Sequence, residues 1–280
     1  MERLSTGART LEKALDLLFS FDAATREQSL MQISRRFGFP PSTTRRLLKV
    51  MISRRLIEQD ERTQLYRLGF GVMYLASLVR DGLDIRKIAL PIMERLMSET
   101  GENIGLHELR DGKRVCVEKV ESREVLRDTI LIGDQFPAHC GATGKALLAF
   151  APEEELQAYL KSRPLEALTP RTITDPKKLL VELAKVRRAG FAFSCGERVM
   201  DGLCAISAPI FESDGRVRYT LTITLTPFRL RAKGRERLVL AVRRAADEIS
   251  RLLAASPTGR TALNTGGRAG RQPAHRAARG

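Results

Sequence analysis

Apolar residues recur at helical spacing in the first fifty residues and predict three helices. The first carries a stripe at i, i+3, i+4 and i+7 that is predicted to face a core: Leu11, Ala14, Leu15 and Leu18. The second is predicted to open at Ser29, where Gln32 completes a capping box, and to end at Gly38. The third is predicted from Pro41, since proline suits a first helical turn, to about Arg54.

The predicted third helix has two chemically different faces. At about 100° per residue, hydrogen-bond donors gather on one side: Ser42, Arg45, Arg46 and Lys49, with Thr43 beside them. The opposite side is mostly apolar: Thr44, Leu47, Leu48 and Met51. Arg, Lys and Ser are the groups that bond to guanine edges and phosphates in a major groove. The pattern favours a DNA-reading helix over a merely solvated basic face.

A hairpin is predicted after this helix. Two strand-like pieces, 56–58 and 65–68, flank the polar stretch 59–64. Arg62, at the predicted tip, is placed to reach the DNA backbone or the minor groove. Helices and hairpin together predict a winged helix-turn-helix domain over residues 1–69.

The second half of the chain changes from helical to strand periodicity. Residues 70–79 are apolar almost all round, which predicts a linker helix, assigned to 70–84, buried against a partner chain or the second domain. The next helix has a long apolar stripe, with Pro91 predicted to kink it: Ile85, Ile88, Ala89, Ile92, Met93, Leu96 and Met97. Strands are then predicted around Asp111-Gly112, a hairpin turn signal.

Further helices and hairpins complete this pattern. Asp175-Pro176 is predicted to cap a helix that Gly190 closes, and strands are predicted at about 203–211 and 217–226, before a final helix. Mixed helices and hairpins predict an α+β domain over 85–254.

Charge sharpens the prediction for the first domain. The 280 residues carry a formal net charge of +15, and residues 29–55 contain seven basic side chains and no acidic one, as expected of a polyanion-facing surface.

Residues 255–280 are rich in Gly, Ala, Pro and Arg, and we predict a disordered basic tail, with non-specific nucleic-acid contact as its less favoured role. No apolar run suggests a signal or membrane span, which predicts a cytoplasmic protein without a membrane partner.

Candidate catalytic and metal-binding motifs are few. The four cysteines form no CxxC pair and are interpreted as small buried thiols, and three histidines favour no metal site, with His139 as the alternative. Residues 141–145 resemble half of a P-loop, but His139 and Ala146 stand where that motif needs Gly and Ser or Thr. No GxSxG, HExxH or GxGxxG is present. We therefore predict no enzyme, no cofactor and no metal.

Several stretches resemble IclR-type regulators. Residues 11–18, 36–48 and 66–69 are similar to the family's winged-helix half, and residues 139–149, 190–192, Glu197 and 202–211 to its second half. The resemblance spans about 8–254. It implies a GAF-like effector-binding domain, a small organic or aromatic acid as effector, and a homodimer or homotetramer on double-stranded promoter DNA.

An effector site is predicted at the start of the helix after His139. Gly141 and Ala142 are expected to leave backbone N–H groups open to an anion. The resemblance implies that five further residues face this loop: Cys195, Glu197, Ala205, Thr222 and Thr224. The alternative is that the two threonines merely line a satisfied core.

The sequence thus predicts a sequence-specific transcriptional regulator under effector control. Two alternatives remain. One is an enzyme acting on a small acid with an attached nucleic-acid-binding domain. The other is a non-specific DNA binder driven by the basic tail.

Overall fold

The chain divides into two units, residues 1–83 and 84–280. The computed structural model describes residues 6–22, 25–81, 84–122, 130–162, 164–198 and 202–255. The predicted basic tail lies outside the described residues from position 256 onwards.

The first unit consists of helices followed by a short hairpin and a last helix. In chain order these are α1 (Thr6–Leu18), α2 (Leu30–Phe37), α3 (Pro41–Ser53), β1 (Ile57–Gln59), β2 (Tyr66–Leu68) and α4 (Phe70–Asp81). Strands β1 and β2 pair antiparallel, with Ile57 opposite Leu68. The predicted winged helix-turn-helix is confirmed, and the strands lie within a residue or two of the predicted bounds.

Helix α2 begins and ends at the predicted caps. Ser29 Oγ accepts a hydrogen bond from the Gln32 amide, and Gln32 Oε1 accepts one from the Ser29 amide at 2.7 Å. Gly38 closes the helix in the left-handed region at φ 64°. Buried Ser34 Oγ then donates to Thr44 Oγ1 at 3.0 Å, which ties α2 to α3.

The predicted core stripe of α1 is partly wrong. Leu11 and Leu15 are 61% and 44% exposed, whereas Leu17 is fully buried with Ala14 and Leu18 packed beside it. The C-terminal end of the helix is anchored because Gln28 Nε2 donates to Ser20 Oγ at 3.0 Å. Leu17 therefore joins the core of this unit, while Leu11 and Leu15 stay on the surface.

The second unit is a mixed sheet-and-helix domain. Its elements are α5 (Asp84–Thr100), β3 (Asn103–Arg110), β4 (Lys113–Val120), β5 (Gln135–Pro137), α6 (Gly141–Phe150), α7 (Glu153–Ser162), α8 (Pro176–Ala189), β6 (Ala192–Cys195), β7 (Cys204–Phe211), β8 (Val217–Leu225), α9 (Pro227–Lys233) and α10 (Arg235–Ala255). The strands form an antiparallel sheet in the order β5-β4-β3-β8-β7-β6. The α+β prediction is confirmed.

Two helical layers enclose this sheet. Helix α6 packs on β6, β7 and β8, while α5 and α10 pack on each other and on β3, β4, β7 and β8. The turn at Asp111-Gly112 has positive φ at both residues, and Asp175 caps α8 by accepting from the amides of Lys177 and Lys178, both as predicted. The short elements β5, β6, α7 and α9 were not predicted.

Helix α6 is the most deeply set helix of this unit. Its residues from Gly141 to Ala149 are all buried. Gly144 allows a close approach to the preceding turn, since a Cβ there would lie 2.0 Å from the carbonyl oxygen of Ala138. The helix thus lies close to the turn after β5, and it packs on β6, β7 and β8, the strands at or near which the other predicted effector residues lie.

Candidate functional sites

The outer face of α3 is cationic and its inner face is buried. Ser42, Arg45, Arg46 and Lys49 are exposed, and none has a side-chain hydrogen bond or ion pair within the described part of the chain. The inner face joins the core of the unit: Thr44, Leu47, Leu48 and Met51. The structure therefore places the predicted donors on one accessible surface and anchors the helix from behind.

The wing carries Arg62 on an exposed turn. Asp60 Oδ1 accepts from the backbone amides of Arg62 at 3.0 Å and Thr63 at 2.8 Å, so an Asx-type turn closes the hairpin without a glycine. The hydrogen bond from the Thr63 amide is the main reason that the pKa of Asp60 is lowered. Thr43 is only half-buried beside the cationic face of α3.

The backbone amides at the start of α6 are not open, contrary to prediction. The Gly141 amide donates to Glu197 Oε2 at 3.3 Å, and the Ala142 amide donates to Ser194 Oγ at 2.8 Å. Because Glu197 reaches back from the segment after β6, a carboxylate of the protein itself occupies the position that favours an anion.

Lys145 holds that carboxylate in place. Its side chain is 1% exposed, and its ammonium donates to Glu197 Oε1 at 2.7 Å, to Glu182 Oε1 at 3.2 Å and to the Phe193 carbonyl at 3.2 Å. All three N–H donors of the lysine are satisfied within the protein. The lysine of the incomplete P-loop therefore belongs to a buried ion cluster.

A narrow cavity lies beside the start of α6. It is lined by His107, Arg114, Ile130, Cys140, Gly141, Ala142, Thr143, Ser194, Glu197, Arg198, Leu203, Ala205 and Thr224. Most of the predicted effector residues therefore meet in one place: Gly141, Ala142, Glu197, Ala205 and Thr224.

The two predicted threonines have different surroundings. Thr222 is 1% exposed, and its Oγ1 lies 2.7 Å from Ser207 Oγ and 3.1 Å from Thr143 Oγ1. It thus belongs to a satisfied hydroxyl cluster, in agreement with the alternative interpretation. Thr224, two residues along the same strand face, lines the cavity.

Cys195 is paired rather than free. It forms a disulfide with Cys204, its direct neighbour across β6 and β7, which corrects the interpretation of all four cysteines as buried thiols. Cys116 and Cys140 are buried thiols, and burial raises the pKa of the Cys140 thiol to about 12. The pairing was not evident in the sequence because the two residues become neighbours only through strand register.

The His139 side chain makes hydrogen bonds within the protein. Its Nδ1 lies 2.6 Å from the Tyr159 hydroxyl and its Nε2 lies 2.9 Å from the Glu166 carbonyl oxygen, so both ring nitrogens have protein partners. Within the described ranges, His, Cys, Asp and Glu side chains form no group of three suited to a metal ion. Nor does any described helix combine the length and apolarity that crossing a membrane requires.

Sequence reasoning missed the polar groups on the sheet side of the cavity. His107 and Arg114 are both 3% exposed, and neither ring nitrogen of His107 has a hydrogen-bond partner with normal geometry in the described structure. Arg198, half-buried in the segment after β6, also lines the cavity. His107 lies on β3 and Arg114 on β4. The signal that marks them is that polar side chains are buried there, and the alternation of a strand does not reveal which of its faces is buried.

Comparison with known proteins identifies both units. Residues 10–61 match the IclR helix-turn-helix domain, and residues 77–251 match the domain described as Bacterial transcriptional regulator IclR C-terminal. The Bacillus subtilis regulator KipR is 34% identical over 215 residues, 76% of this chain and 85% of KipR. The Escherichia coli K12 repressor AllR is 30% identical over 218 residues, 78% of this chain and 80% of AllR.

Solved structures agree with these sequence matches. The Thermotoga maritima IclR has a TM-score of 0.74 and 28% identity, covering 88% of this chain and 99% of that one. An IclR homologue from Microbacterium hydrocarbonoxydans, solved as a complex with 4-hydroxybenzoate, has the same TM-score and identity and covers 88% and 100%. The chain belongs to the IclR family of transcriptional regulators, with an N-terminal DNA-binding domain and a GAF-like C-terminal effector-binding domain.

Proposed function

We propose that this regulator reads double-stranded operator DNA through the outer face of α3 and the wing. The reading residues are Ser42, Thr43, Arg45, Arg46, Lys49 and Arg62. The observation that carries the proposal is the unpaired cationic face of α3 above a buried apolar face, both within the described residues. Within this proposal residues 1–69 are the DNA-binding domain, 70–84 the linker and 85–254 the effector domain, and the protein acts in the cytoplasm.

Deleting residues 256–280 distinguishes specific reading from attraction by the basic tail. The deleted segment contains five arginines and no acidic residue, so its loss lowers affinity for every DNA. We expect the truncated protein to keep its preference for its own upstream DNA over a scrambled duplex within about threefold, measured by fluorescence anisotropy at fixed salt. Loss of the preference would mean that the tail, and not α3, supplies recognition.

The effector domain is proposed to bind a small organic or aromatic acid in the cavity beside α6. The cavity combines cationic groups with apolar walls such as Leu203 and Ala205. A structural neighbour was solved with 4-hydroxybenzoate, which is a small aromatic acid. Because the relatives are regulators, we assign this site to signal reception and not to turnover.

We further propose that the chain acts as a homodimer or homotetramer. Helix α4 exposes large apolar side chains that one chain leaves uncovered: Phe70, Met73, Tyr74, Leu75 and Leu78. Exposed Leu11, Leu15 and Phe19 of the α1 region add to the apolar surface of the same unit. A two-fold arrangement also suits a palindromic operator.

The Tyr74→Glu, Leu78→Glu double variant tests this assembly. Glutamates in an apolar interface would be buried without partners, so we expect at least a tenfold weaker self-association, measured by light scattering over a concentration series. Val181→Glu is the control, because Val181 is 60% exposed on α8 of the other unit. Equal self-association of the double variant and the control would refute a role for α4.

A further inference from the structure

We propose that Cys195 and Cys204 form a reversible thiol–disulfide switch, which holds or releases the loop between them and thereby changes the affinity of the regulator for DNA. The pair is oxidised in this structure. The switch rests on the proposed function in two respects, the cytoplasmic setting and the reading of operator DNA. Its chemical partner is a low-molecular-weight thiol such as glutathione.

The two cysteines meet at one edge of the six-stranded sheet. Strand β6 is the last strand in the sheet order, Cys195 ends it, and Cys204 begins β7 directly opposite. Cys195 is half-buried, whereas Cys204 is fully buried. Because thiol exchange depends on access to the sulfur, a thiolate from solvent is expected to attack at Cys195.

The setting of the protein makes a permanent structural role unfavourable for this bond. Glutathione and thioredoxin keep cytoplasmic thiols reduced, and the disulfides that do form there usually serve catalysis or redox sensing. The other two thiols are shielded from the exchange, since Cys116 and Cys140 are 2% and 0% exposed. The pair at the sheet edge can therefore react by itself.

Reduction of the pair takes two exchange steps. A thiolate attacks Cys195 Sγ, the disulfide bond breaks, and its electron pair leaves with Cys204 Sγ, which takes up a proton. A second thiolate attacks the mixed disulfide at the sulfur of the bound reductant, and Cys195 leaves and is protonated to the thiol. The protein gains two electrons and two protons, while two reductant thiols become one disulfide. The disulfide form of the reductant reverses both steps.

The loop that this disulfide closes forms part of the cavity wall. Glu197, Arg198 and Leu203 line the cavity, and all three lie between the two cysteines, which are nine positions apart. A crosslink restricts the conformations open to the chain between its ends. Reduction therefore removes a covalent restraint from one wall of the effector domain.

Glu197 connects this loop to the start of α6. Its carboxylate accepts from the Gly141 amide at 3.3 Å and from the Lys145 ammonium at 2.7 Å, and its carbonyl oxygen accepts from Thr172 Oγ1 at 2.7 Å. In the oxidised form the disulfide supports these hydrogen bonds, whereas in the reduced form the loop depends on noncovalent contacts alone. We expect reduction to loosen the start of α6.

The experiment compares the two redox forms of the full-length wild-type protein. Glutathione or glutathione disulfide sets the form, and alkylation followed by mass spectrometry counts the remaining thiols. We expect millimolar glutathione to reduce the pair, and the two forms to differ at least about fivefold in affinity for the upstream duplex, measured by fluorescence anisotropy at fixed salt. The proposal is overturned if glutathione cannot reduce the pair, if glutathione disulfide cannot re-form it, or if both forms bind DNA equally.

Variants then assign the response to the pair. The Cys195→Ser, Cys204→Ser double variant should bind DNA within about twofold of reduced wild type under both conditions, because it cannot form the bond. Cys116→Ala is the matched control, since it removes a buried thiol outside the pair and should keep the full response. Circular dichroism checks that both variants fold. A redox response that persists in the double variant would overturn the assignment, and the wild-type comparison decides the proposal if that variant does not fold.

Hydrogen exchange followed by mass spectrometry locates the structural effect. Reduction should speed amide exchange in the peptide that contains Gly141 at least about fivefold and leave the peptides of α3 unchanged. Equal exchange at the start of α6 in both forms would overturn the role of Glu197. The proposed function fails separately, when neither form prefers the upstream duplex to a scrambled one.

Discussion

The Arg46→Ala, Lys49→Ala double variant is expected to bind operator DNA about 100-fold more weakly than the parent at fixed salt. Both side chains are exposed on the outer face of α3, and removing one base or phosphate hydrogen bond from such a face costs about 1–3 kcal/mol. With two fewer cations near the phosphates, the salt dependence of binding should also become less steep. Fluorescence anisotropy with a labelled upstream duplex, over a range of salt concentrations, measures both effects.

The matched control removes the same charge elsewhere. Lys177→Ala with Arg188→Ala takes two exposed cations from α8 in the effector domain and should change affinity by no more than about twofold. If the α3 variant and this control bind DNA equally well, α3 is not the reading helix.

Lys145→Met is expected to destabilise the effector domain by about 3–5 kcal/mol. Removing the ammonium leaves the carboxylate of Glu197, whose side chain is 12% exposed, without its closest cation, and that of Glu182 with only a longer contact to Lys185. Breaking a buried ion cluster by deleting one partner typically costs this much, because the remaining charge stays desolvated. Urea unfolding followed by circular dichroism measures the loss.

Lys185→Met is the natural control for that experiment. Lys185 approaches the same Glu182 at 4.0 Å, but its side chain is 63% exposed. An exposed pair contributes little, so a change within about 0.5 kcal/mol is expected. Similar stability of the two variants would show that Lys145 is not the cation that holds Glu197 at the start of α6.

The caps and turns of the fold were predictable because they depend on near neighbours. Ser29 and Gln32 satisfy each other across one helical turn, and Asp111-Gly112 sets the β3–β4 hairpin by its own backbone preferences. The two faces of α3 were predictable for a related reason, because helical periodicity alone places Arg46 on the outer face and Leu47 on the inner one.

The contents of the effector cavity were not predictable in the same way. Glu197 lies 56 positions after Gly141, and Cys195 meets Cys204 only because β6 and β7 pair in one particular register. His107 and Arg114 belong to strands whose alternation indicates two faces but not which face the cavity will border. Long-range packing decides those neighbours, as it decides that Leu17 and not Leu15 enters the core of the first unit.

An acid bound in the effector domain is proposed to control DNA binding, and one titration tests this control. Affinity for the upstream duplex is measured with and without a saturating concentration of a small organic acid that binds the effector domain, for wild type and for Arg198→Gln, which changes a residue of the cavity wall. We expect the acid to change wild-type affinity by at least about fivefold, in keeping with a coupling free energy of about 1 kcal/mol or more, and to have little effect on the variant at the same concentration. An unchanged wild-type affinity with the acid demonstrably bound would contradict the claim.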